Sequence, residues 1–316
     1  MSRQAPPLEQ LRFGEQLGRG ATCKVWLACL QTDSTQRFAV KAVEKAKIAG
    51  QLALTHLYRE KAILNSADNA GIVRFFCTLK DEHYLYFVLE HLEGGELLWH
   101  MRRAPKWQVP IRSARVCLGG ILLALSYLKQ MGVLYRDIKP TNIMFTRNGR
   151  LKIVDFGHAK CMGMEERSTS LCGTPHFHAP EIVRGEPHGM PAQLWALGVL
   201  VVEMMAGRPP FFDRPSSPSL KEQILFASVD LTCLPEEARH LVAGLLERDV
   251  SVREASFPLG FESVMLHPWL QELDWVAIEE GQCVPDFDFT RHAEEIVSPL
   301  LFAYVLHKRM KWGQMD

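Results

Sequence analysis

Three polar side chains stand close together between Val133 and Asn142, where the chain reads Val-Leu-Tyr-Arg-Asp-Ile-Lys-Pro-Thr-Asn. An apolar run and Gly132 precede them, which predicts a loop that leaves a helix. In such a loop Asp137 could accept a proton from a hydroxyl, Lys139 could neutralise a phosphoryl group in transfer, and Asn142 could hold a divalent metal. A loop with only a structural role needs neither the lysine nor the asparagine. The pattern therefore indicates phosphoryl transfer.

Three more charged residues could complete such a site. Lys41 ends an apolar, strand-like run, and Glu60 follows nineteen residues later among apolar residues at helical spacing. Asp155 opens an Asp-Phe-Gly turn eighteen residues after Asp137. Its carboxylate could ligate a magnesium ion that bridges nucleotide phosphates. A lysine on an apolar strand is usually a solvated edge residue, so a Lys41–Glu60 pair is a prediction that the fold must test.

The order and spacing of these residues resemble those of eukaryotic protein kinases over residues 13 to about 270. The similarity is greatest to the AGC group of Ser/Thr kinases, in its cAMP-dependent and phosphoinositide-dependent branches. The resemblance implies an α+β, bilobal protein-kinase fold, with a small antiparallel-sheet N-lobe that carries one helix and a larger, mainly helical C-lobe. It divides the chain into a leader (1–12), an N-lobe (13–89), a hinge (90–95), a C-lobe (96–270) and a C-terminal tail (271–316).

The resemblance also implies ATP and Mg²⁺ as cofactors. Lys41 would hold the α- and β-phosphates and pair with Glu60, and Asn142 and Asp155 would hold Mg²⁺. Lys139 and Thr174 would flank the catalytic Asp137, and Thr174 indicates a serine or threonine substrate. The ATP-binding residues implied by the resemblance are Leu17, Gly18, Gly20, Val25, Ala39, Lys41, Leu89, Glu90, Leu92 and Glu96. A buried pair of Glu181 and Arg253 is also implied.

Some positions depart from the family pattern. Cys23 stands where a third glycine is usual, and the glycine hairpin alone is equally compatible with a plain turn. Thr141 replaces a glutamate that basophilic relatives use to read arginine, so an arginine preference would depend on Glu96 and on Glu222. Glu96 could also simply favour a helix dipole. Gln193 replaces an aspartate that braces the catalytic loop, and we expect it to accept one hydrogen bond without charge.

The segment Ser170-Leu-Cys-Gly-Thr-Pro resembles the AGC activation segment, in which a phosphorylated threonine stands at the position of Ser170. His56, Arg136 and Lys160 fall at matching cationic positions. A phosphate of about −1.5 to −2 charge would bind these cations and order the loop. We therefore expect an upstream kinase to phosphorylate Ser170. The alternative is that Ser168, Thr169 and Ser170 are only exposed loop hydroxyls.

Composition narrows the range of partners. The chain has 36 basic and 36 acidic residues, so its net charge does not indicate nucleic acid. The N-terminus lacks the apolar core of a secretory signal, and the apolar stretches 117–128 and 194–205 are shorter than the roughly 20 residues that span a bilayer. Eight scattered cysteines favour the cytoplasm, with the nucleus as the alternative.

The tail is less regular. The run 285–289, Pro-Asp-Phe-Asp-Phe, is predicted to touch the nucleotide, and residues 298–312 read as an amphipathic, basic helix. That helix could dock on the domain or form a membrane or partner surface.

The residues together predict ATP-dependent transfer of the γ-phosphoryl group to a protein serine or threonine. The competing hypothesis is a kinase-shaped scaffold that binds a partner and has lost catalysis through Cys23 and Gln193. A small-molecule phosphotransferase is disfavoured, because the segment from Gly-Thr-Pro to Ala-Pro-Glu resembles a peptide platform.

Overall fold

The structure, a computed structural model, describes residues 6–20, 23–48, 50–162, 167–170, 172–212 and 217–289. The predicted helix at 298–312 lies outside these residues. The first strand begins at Leu11, inside the predicted leader.

A five-stranded antiparallel sheet, in the order β1-β2-β3-β5-β4, forms the small lobe. Its strands are β1 (Leu11–Arg19), β2 (Cys23–Leu30), β3 (Arg37–Glu44), β4 (Phe75–Lys80) and β5 (Tyr84–Glu90). Val25, Lys41 and Phe87 are aligned across β2, β3 and β5 and so share one face. Val40 and Val88 point to the other face and are fully buried. The alternation thus directs Lys41 toward the helix that covers its face.

That helix is α1 (Gly50–Ser66), which packs against β4. Its buried side chains are Glu60, Ile63 and Leu64, spaced three and four residues apart and so on one face of the helix. Two of the three are apolar and join the main core. Burial of this stripe fixes the rotation of α1 and turns Glu60 inward.

The large lobe is mainly helical. Its helices are α2 (Leu97–Arg103), α3 (Ile111–Gln130), α4 (Pro180–Arg184), α5 (Met190–Ala206), α6 (Leu220–Phe226), α7 (Glu236–Leu245), α8 (Val250–Ser256), α9 (Phe261–Met265) and α10 (Trp275–Glu280). Short strands complete it: β6 (Gly95–Glu96), β7 (Val133–Leu134), β8 (Ile143–Phe145), β9 (Leu151–Ile153) and β10 (Lys160–Cys161). These strands pair as β6-β8-β9 and as β10-β7. The small antiparallel sheet with one helix and the helical second lobe confirm the predicted α+β kinase fold.

Helix α3 is the core helix of the large lobe. Its 20 residues are long and apolar enough to cross a membrane by length and composition, the one such helix in the described part of the chain. The apolar stretch predicted from the sequence, residues 117–128, is shorter than this helix. Yet 67% of its most apolar window is buried inside the protein, and the helix packs against α5, α9 and β9. We therefore interpret α3 as a buried helix of the domain.

The described end of the tail docks on the large lobe. The Phe287 ring stacks on His100, with ring centroids 4.6 Å apart, and the Phe289 ring lies 5.3 Å from that of Phe145 on β8. Met144, the neighbour of Phe145, points to the opposite face of that strand. The structure packs both rings against buried aromatic partners, and contact of these rings with a nucleotide stays a prediction.

Candidate active site

Lys41 joins the two lobes electrostatically. Its Nζ lies 2.6 Å from Oε1 of Glu60 on α1 and 3.1 Å from Oδ1 of Asp155, which follows β9. The Lys41 and Glu60 side chains are 14% and 4% exposed. Burial alone would lower the pKa of Lys41, but Asp155 and Glu60 outweigh it and raise that pKa. The lysine is therefore held charged.

Asp155 is prepared to bind a cation. Lys41 is the main cause that lowers the Asp155 pKa to about 2, and the Gly157 N–H, 3.3 Å from Oδ1, adds to the effect. Asp155 has a φ of 55°, in the left-handed region, which a tight turn requires. Its carboxylate is ionised at any physiological pH.

The Asp137 carboxylate is surrounded by donors. Lys139 Nζ lies 2.6 Å from Oδ2, and the Asn142 amide nitrogen donates to the same oxygen at 2.7 Å and to the Asp137 carbonyl at 2.9 Å. Thr174 Oγ1 donates to Oδ1 at 3.3 Å. Asp137 is 3% exposed, so these bonds fix the direction in which it faces a substrate hydroxyl.

Asn142 and Asp155 each carry a side-chain oxygen that could bind a metal, and a backbone hydrogen bond joins their two segments. The N–H of Val154, next to Asp155, donates to the Asn142 carbonyl at 3.0 Å. Since the Asn142 amide nitrogen is used by Asp137, its Oδ1 remains as the acceptor end. No cluster of three or more His, Cys, Asp or Glu side chains suited to a metal occurs among the described residues. A carboxylate and an amide oxygen fit Mg²⁺, which usually takes its other ligands from water and phosphates.

Four of the predicted nucleotide residues share one face of the small lobe's sheet: Val25, Ala39, Lys41 and Leu89. Register aligns Leu27, Ala39 and Leu89 on the face that also carries Lys41, and β1 and β2 pair Gly18 with Val25. Leu17 lies where the register of β1 shifts, and the Gly20 N–H donates to the Cys23 carbonyl at 2.8 Å. The glycine hairpin thus continues the surface that leads to Lys41.

The hinge residues have additional structural roles. The Glu90 N–H donates to the Arg74 carbonyl at 2.9 Å, so that donor is already used. The Glu90 carboxylate accepts from the Arg74 N–H and pairs with the buried Lys152 at 2.9 Å. Leu92 is 4% exposed and belongs to the core. Burial raises the pKa of Glu96 to about 7, against the attraction of Arg102 and Lys139.

Gln193 braces the catalytic loop more fully than the sequence predicted. Its Oε1 accepts from the Tyr135 N–H at 2.9 Å and from the Arg136 N–H at 3.2 Å, so it takes two hydrogen bonds and not one. The side-chain carbonyl oxygen of Gln193 has two lone pairs, so it can accept both hydrogen bonds where one was predicted. The Tyr135 hydroxyl in turn donates to the Val154 carbonyl at 2.5 Å. The catalytic loop is thus tied to the strand that leads to Asp155.

The predicted switch serine contacts the catalytic loop. Arg136 donates through Nη1 to Ser170 Oγ at 2.7 Å and to Ser168 Oγ at 3.0 Å, and through Nε to the His158 carbonyl at 2.8 Å. Ser168 is 2% exposed, whereas Ser170 is exposed. Ser168 is therefore no exposed loop hydroxyl, whereas Thr169 and Ser170 are both exposed, and of these it is Ser170 that bonds Arg136.

Other basic side chains surround the contact between Arg136 and Ser170. Partial burial lowers the pKa of His56, and Arg59 and Arg136 repel its charged form. Burial is also the main cause that lowers the pKa of His188, and the charges of Arg136 and Lys160 lower it further. His56 thus lies near Arg136, and Lys160 lies near His188 as Arg136 does, although it is Arg136 that bonds Ser170. Arg59 was missed, because a single arginine on a helix carries no sequence signal for this position.

Glu181 and Arg253 form a buried ion pair. Arg253 donates to Glu181 Oε1, and its Nε donates to the Pro191 carbonyl at 3.0 Å. The two side chains are 1% and 0% exposed. This pair anchors the end of the activation segment to α8.

Sequence reasoning also missed Glu203. It lies on α5, is 3% exposed, and its buried Oε2 has no hydrogen-bond partner among the described residues. Burial raises its pKa to about 8, and Arg102 opposes this shift, as it does for Glu96. The one feature of the sequence that could have indicated Glu203 is that it is a single carboxylate inside an otherwise apolar helix. By contrast, Glu222 is exposed and its carboxylate caps α6 through Ser219.

The chain matches the family described as "Protein kinase domain" over residues 11–270. It is 33% identical to a cAMP-dependent protein kinase catalytic subunit of Arthrobotrys oligospora over 282 residues, 89% of this chain and 53% of that protein. The corresponding catalytic subunit of Schizosaccharomyces pombe is 34% identical over 270 residues, 85% of this chain and 52% of that protein. Protein kinase C zeta type of Oryctolagus cuniculus is 33% identical over 281 residues, 86% and 47% respectively.

The chain spans about half the length of these curated relatives. The matched family and the similarity to these kinases agree with the arrangement of Lys41, Glu60, Asp137, Asn142 and Asp155. They confirm the resemblance drawn from the sequence. The chain belongs to the eukaryotic protein kinase family and is of the AGC type.

Proposed function

We propose that the chain is an ATP-dependent protein serine/threonine kinase. The observation that carries the proposal is the simultaneous contact of Lys41 with Glu60 and with Asp155, at 2.6 and 3.1 Å. This contact links α1, β3 and the Asp-Phe-Gly turn in one arrangement. A scaffold that only bound partners would not need these charges assembled next to a restrained Asp137.

The chain's own residues account for the transfer. Lys41 would hold the nucleotide phosphates, since Glu60 keeps its ammonium charged and in place. Asp137 would orient the substrate hydroxyl and accept its proton, while Lys139 offsets charge on the phosphoryl group. Asn142 and Asp155 would hold Mg²⁺, which when bound neutralises phosphate charge. Because the transition state is loose, positioning by these residues contributes more than base strength.

Radiolabel transfer from ATP and Mg²⁺ to a generic basic protein tests the proposal. Lys41→Met should lower the rate by at least about a hundredfold, the typical effect of removing a preorganised charge at a reacting group. Lys61→Met is the matched control, because Lys61 is an exposed lysine on α1. Unaltered transfer in Lys41→Met, or no transfer by the wild type, would contradict the proposal and favour the scaffold hypothesis.

We further propose that an upstream kinase phosphorylates Ser170. Its hydroxyl is exposed and already accepts from Arg136, and Lys160 adds positive charge nearby, while a phosphate would favour the charged form of His56 that burial and the arginines now disfavour. A phosphate at Ser170 would give Arg136 a charge-assisted partner in place of a neutral one. The added restraint would act on the catalytic loop directly, since Arg136 precedes Asp137.

The protein substrates are proposed to carry an arginine. Glu96 is a half-buried and Glu203 a buried carboxylate; both lie near Arg102, and Glu96 also lies near Lys139 of the catalytic loop. An incoming guanidinium would supply the counter-charge that burial denies them. Two peptides that differ by one arginine should differ in kcat/KM, and Glu96→Gln should reduce that difference. An equal kcat/KM for both peptides in the wild type would contradict the arginine preference.

A further inference from the structure

Ser168 is a buried residue two positions before the proposed phosphorylation site, Ser170, and is 2% exposed. Its N–H donates to the His188 carbonyl at 2.8 Å, and the His188 N–H donates to the Ser168 carbonyl at 2.9 Å. These two bonds fix the backbone of the segment to the loop that precedes α5. They use no side-chain atom, so the hydroxyl of Ser168 is left for another contact.

The Ser168 hydroxyl contacts the catalytic loop. Its Oγ accepts from Arg136 Nη1 at 3.0 Å and lies 2.9 Å from Ser170 Oγ, which accepts from the same nitrogen at 2.7 Å. Arg136 is half-buried, so its guanidinium needs acceptors from the protein. The acceptors that bond this guanidinium among the described residues are two hydroxyls and the His158 carbonyl, all of them uncharged.

Arg136 needs these contacts because its backbone is strained. Its φ is 68°, in the left-handed region, which is unfavourable for a residue with a Cβ and persists only where neighbouring groups hold it. Gln193 holds its N–H at 3.2 Å, and the two serines hold the far end of its side chain. Because Arg136 directly precedes Asp137, relaxation of this strain would turn the carboxylate that faces the substrate hydroxyl.

We infer that Ser168 is a positioning residue that holds Arg136, and through it Asp137, while Ser170 carries no phosphate. The dephosphorylated chain would then keep a basal activity that depends on Ser168. A phosphate at Ser170 is a charged and therefore stronger acceptor for Arg136, so phosphorylation makes the Ser168 hydroxyl dispensable. The inference rests on the proposed kinase function and describes how its site is held before phosphorylation.

The full chain in two phosphorylation states tests the inference. One preparation is dephosphorylated, and the other carries phosphoserine incorporated at position 170 during translation; intact mass confirms both states before and after the assay. In the dephosphorylated chain Ser168→Ala should lower kcat/KM about tenfold, the effect of one lost hydrogen bond to a charged group. With phosphate at position 170 the same variant should change kcat/KM by less than about twofold.

Thr169→Ala removes an exposed hydroxyl from the neighbouring position and is the matched control, which should leave kcat/KM unchanged in both states. A purely structural role of Ser168 would not depend on the phosphate. An equal loss for Ser168→Ala in the two states, or no loss in the dephosphorylated state, would therefore overturn the inference. Ser168→Cys fills the same space with only a weak acceptor, and should match Ser168→Ala if that variant does not fold.

Tryptic cleavage gives a readout that needs no phosphate transfer. Arg167 is the only lysine or arginine between Lys160 and Arg184, so cleavage after it yields two fragments of defined mass. Cleavage requires local release of the Ser168 backbone from His188. Relative to matching peptides, Ser168→Ala should speed this cleavage about tenfold in the dephosphorylated chain alone.

The two readouts separate the possible failures. Unchanged cleavage of the dephosphorylated Ser168→Ala chain would overturn the role of Ser168. Faster cleavage of that chain, with no phosphate transfer by any form of the protein, would sink the kinase proposal and leave the role of Ser168 in holding Arg136 standing.

Discussion

Glu203→Gln tests the buried carboxylate of α5 without changing its shape. The wild-type side chain is 3% exposed, and its Oε2 has no hydrogen-bond partner in the described structure. Its pKa is raised by burial to about 8, from an ordinary value of 4.5. The folded protein therefore keeps a proton on Glu203 at pH values where the unfolded chain has released it.

This difference sets a pH dependence of stability with a defined sign. Between pH 4.5 and about 8 the folded state binds more protons at Glu203 than the unfolded state, so stability is full below pH 4.5 and is lost as the pH rises toward 8. At about 1.4 kcal/mol per pH unit between pH 4.5 and about 8, the loss attributable to Glu203 is on the order of 5 kcal/mol. A glutamine side chain does not titrate in this range, so the Glu203→Gln protein should not show this pH-dependent loss of stability.

Urea unfolding followed by tryptophan fluorescence measures the effect. The free energy of unfolding of Glu203→Gln, minus that of the wild type, should rise by a few kcal/mol between pH 5 and 8.5. Glu82→Gln, in the exposed β4–β5 turn, is the control and should show a flat difference. A flat difference for Glu203→Gln as well, or one that falls with pH, would show that Arg102 holds Glu203 ionised and would refute the reasoning.

Three further variants test the phosphorylation of Ser170, the hydrogen bonds from Gln193 to the catalytic loop, and the buried ion pair of Glu181 and Arg253. Ser170→Ala should lower kcat/KM about tenfold relative to the phosphorylated wild type, whereas the control Thr169→Ala should not. Full activity of the unphosphorylated Ser170→Ala protein would contradict activation by phosphorylation at Ser170. Gln193→Ala leaves the buried N–H of Tyr135 and the half-buried N–H of Arg136 without an acceptor, and should cost about 2–4 kcal/mol in urea unfolding as well as lowering kcat. An unchanged kcat would show that catalysis does not need these hydrogen bonds. Arg253→Met leaves Glu181 charged and buried, and should cost about 3–5 kcal/mol of stability. A loss below about 1 kcal/mol would mean that the pair adds little.

The sequence by itself determined the fold class and the identity of the chemical groups. Asp137, Asn142 and Asp155 could be named because function restricts both residue type and spacing within short segments. The apolar spacing around Glu60 likewise predicted the inward face of α1, since burial of a helix requires that periodicity. These are local patterns, and local patterns can be read along the chain.

Only the tertiary structure decided which distant groups meet. The second hydrogen bond of Gln193, the burial of Ser168 and the docking of Phe287 on His100 depend on how elements far apart in sequence pack together. Glu203 became visible as a candidate in the same way, because the sequence shows a carboxylate but not its missing partner. Burial and pairing are properties of a three-dimensional neighbourhood, and a pattern of residue types along the chain does not contain them.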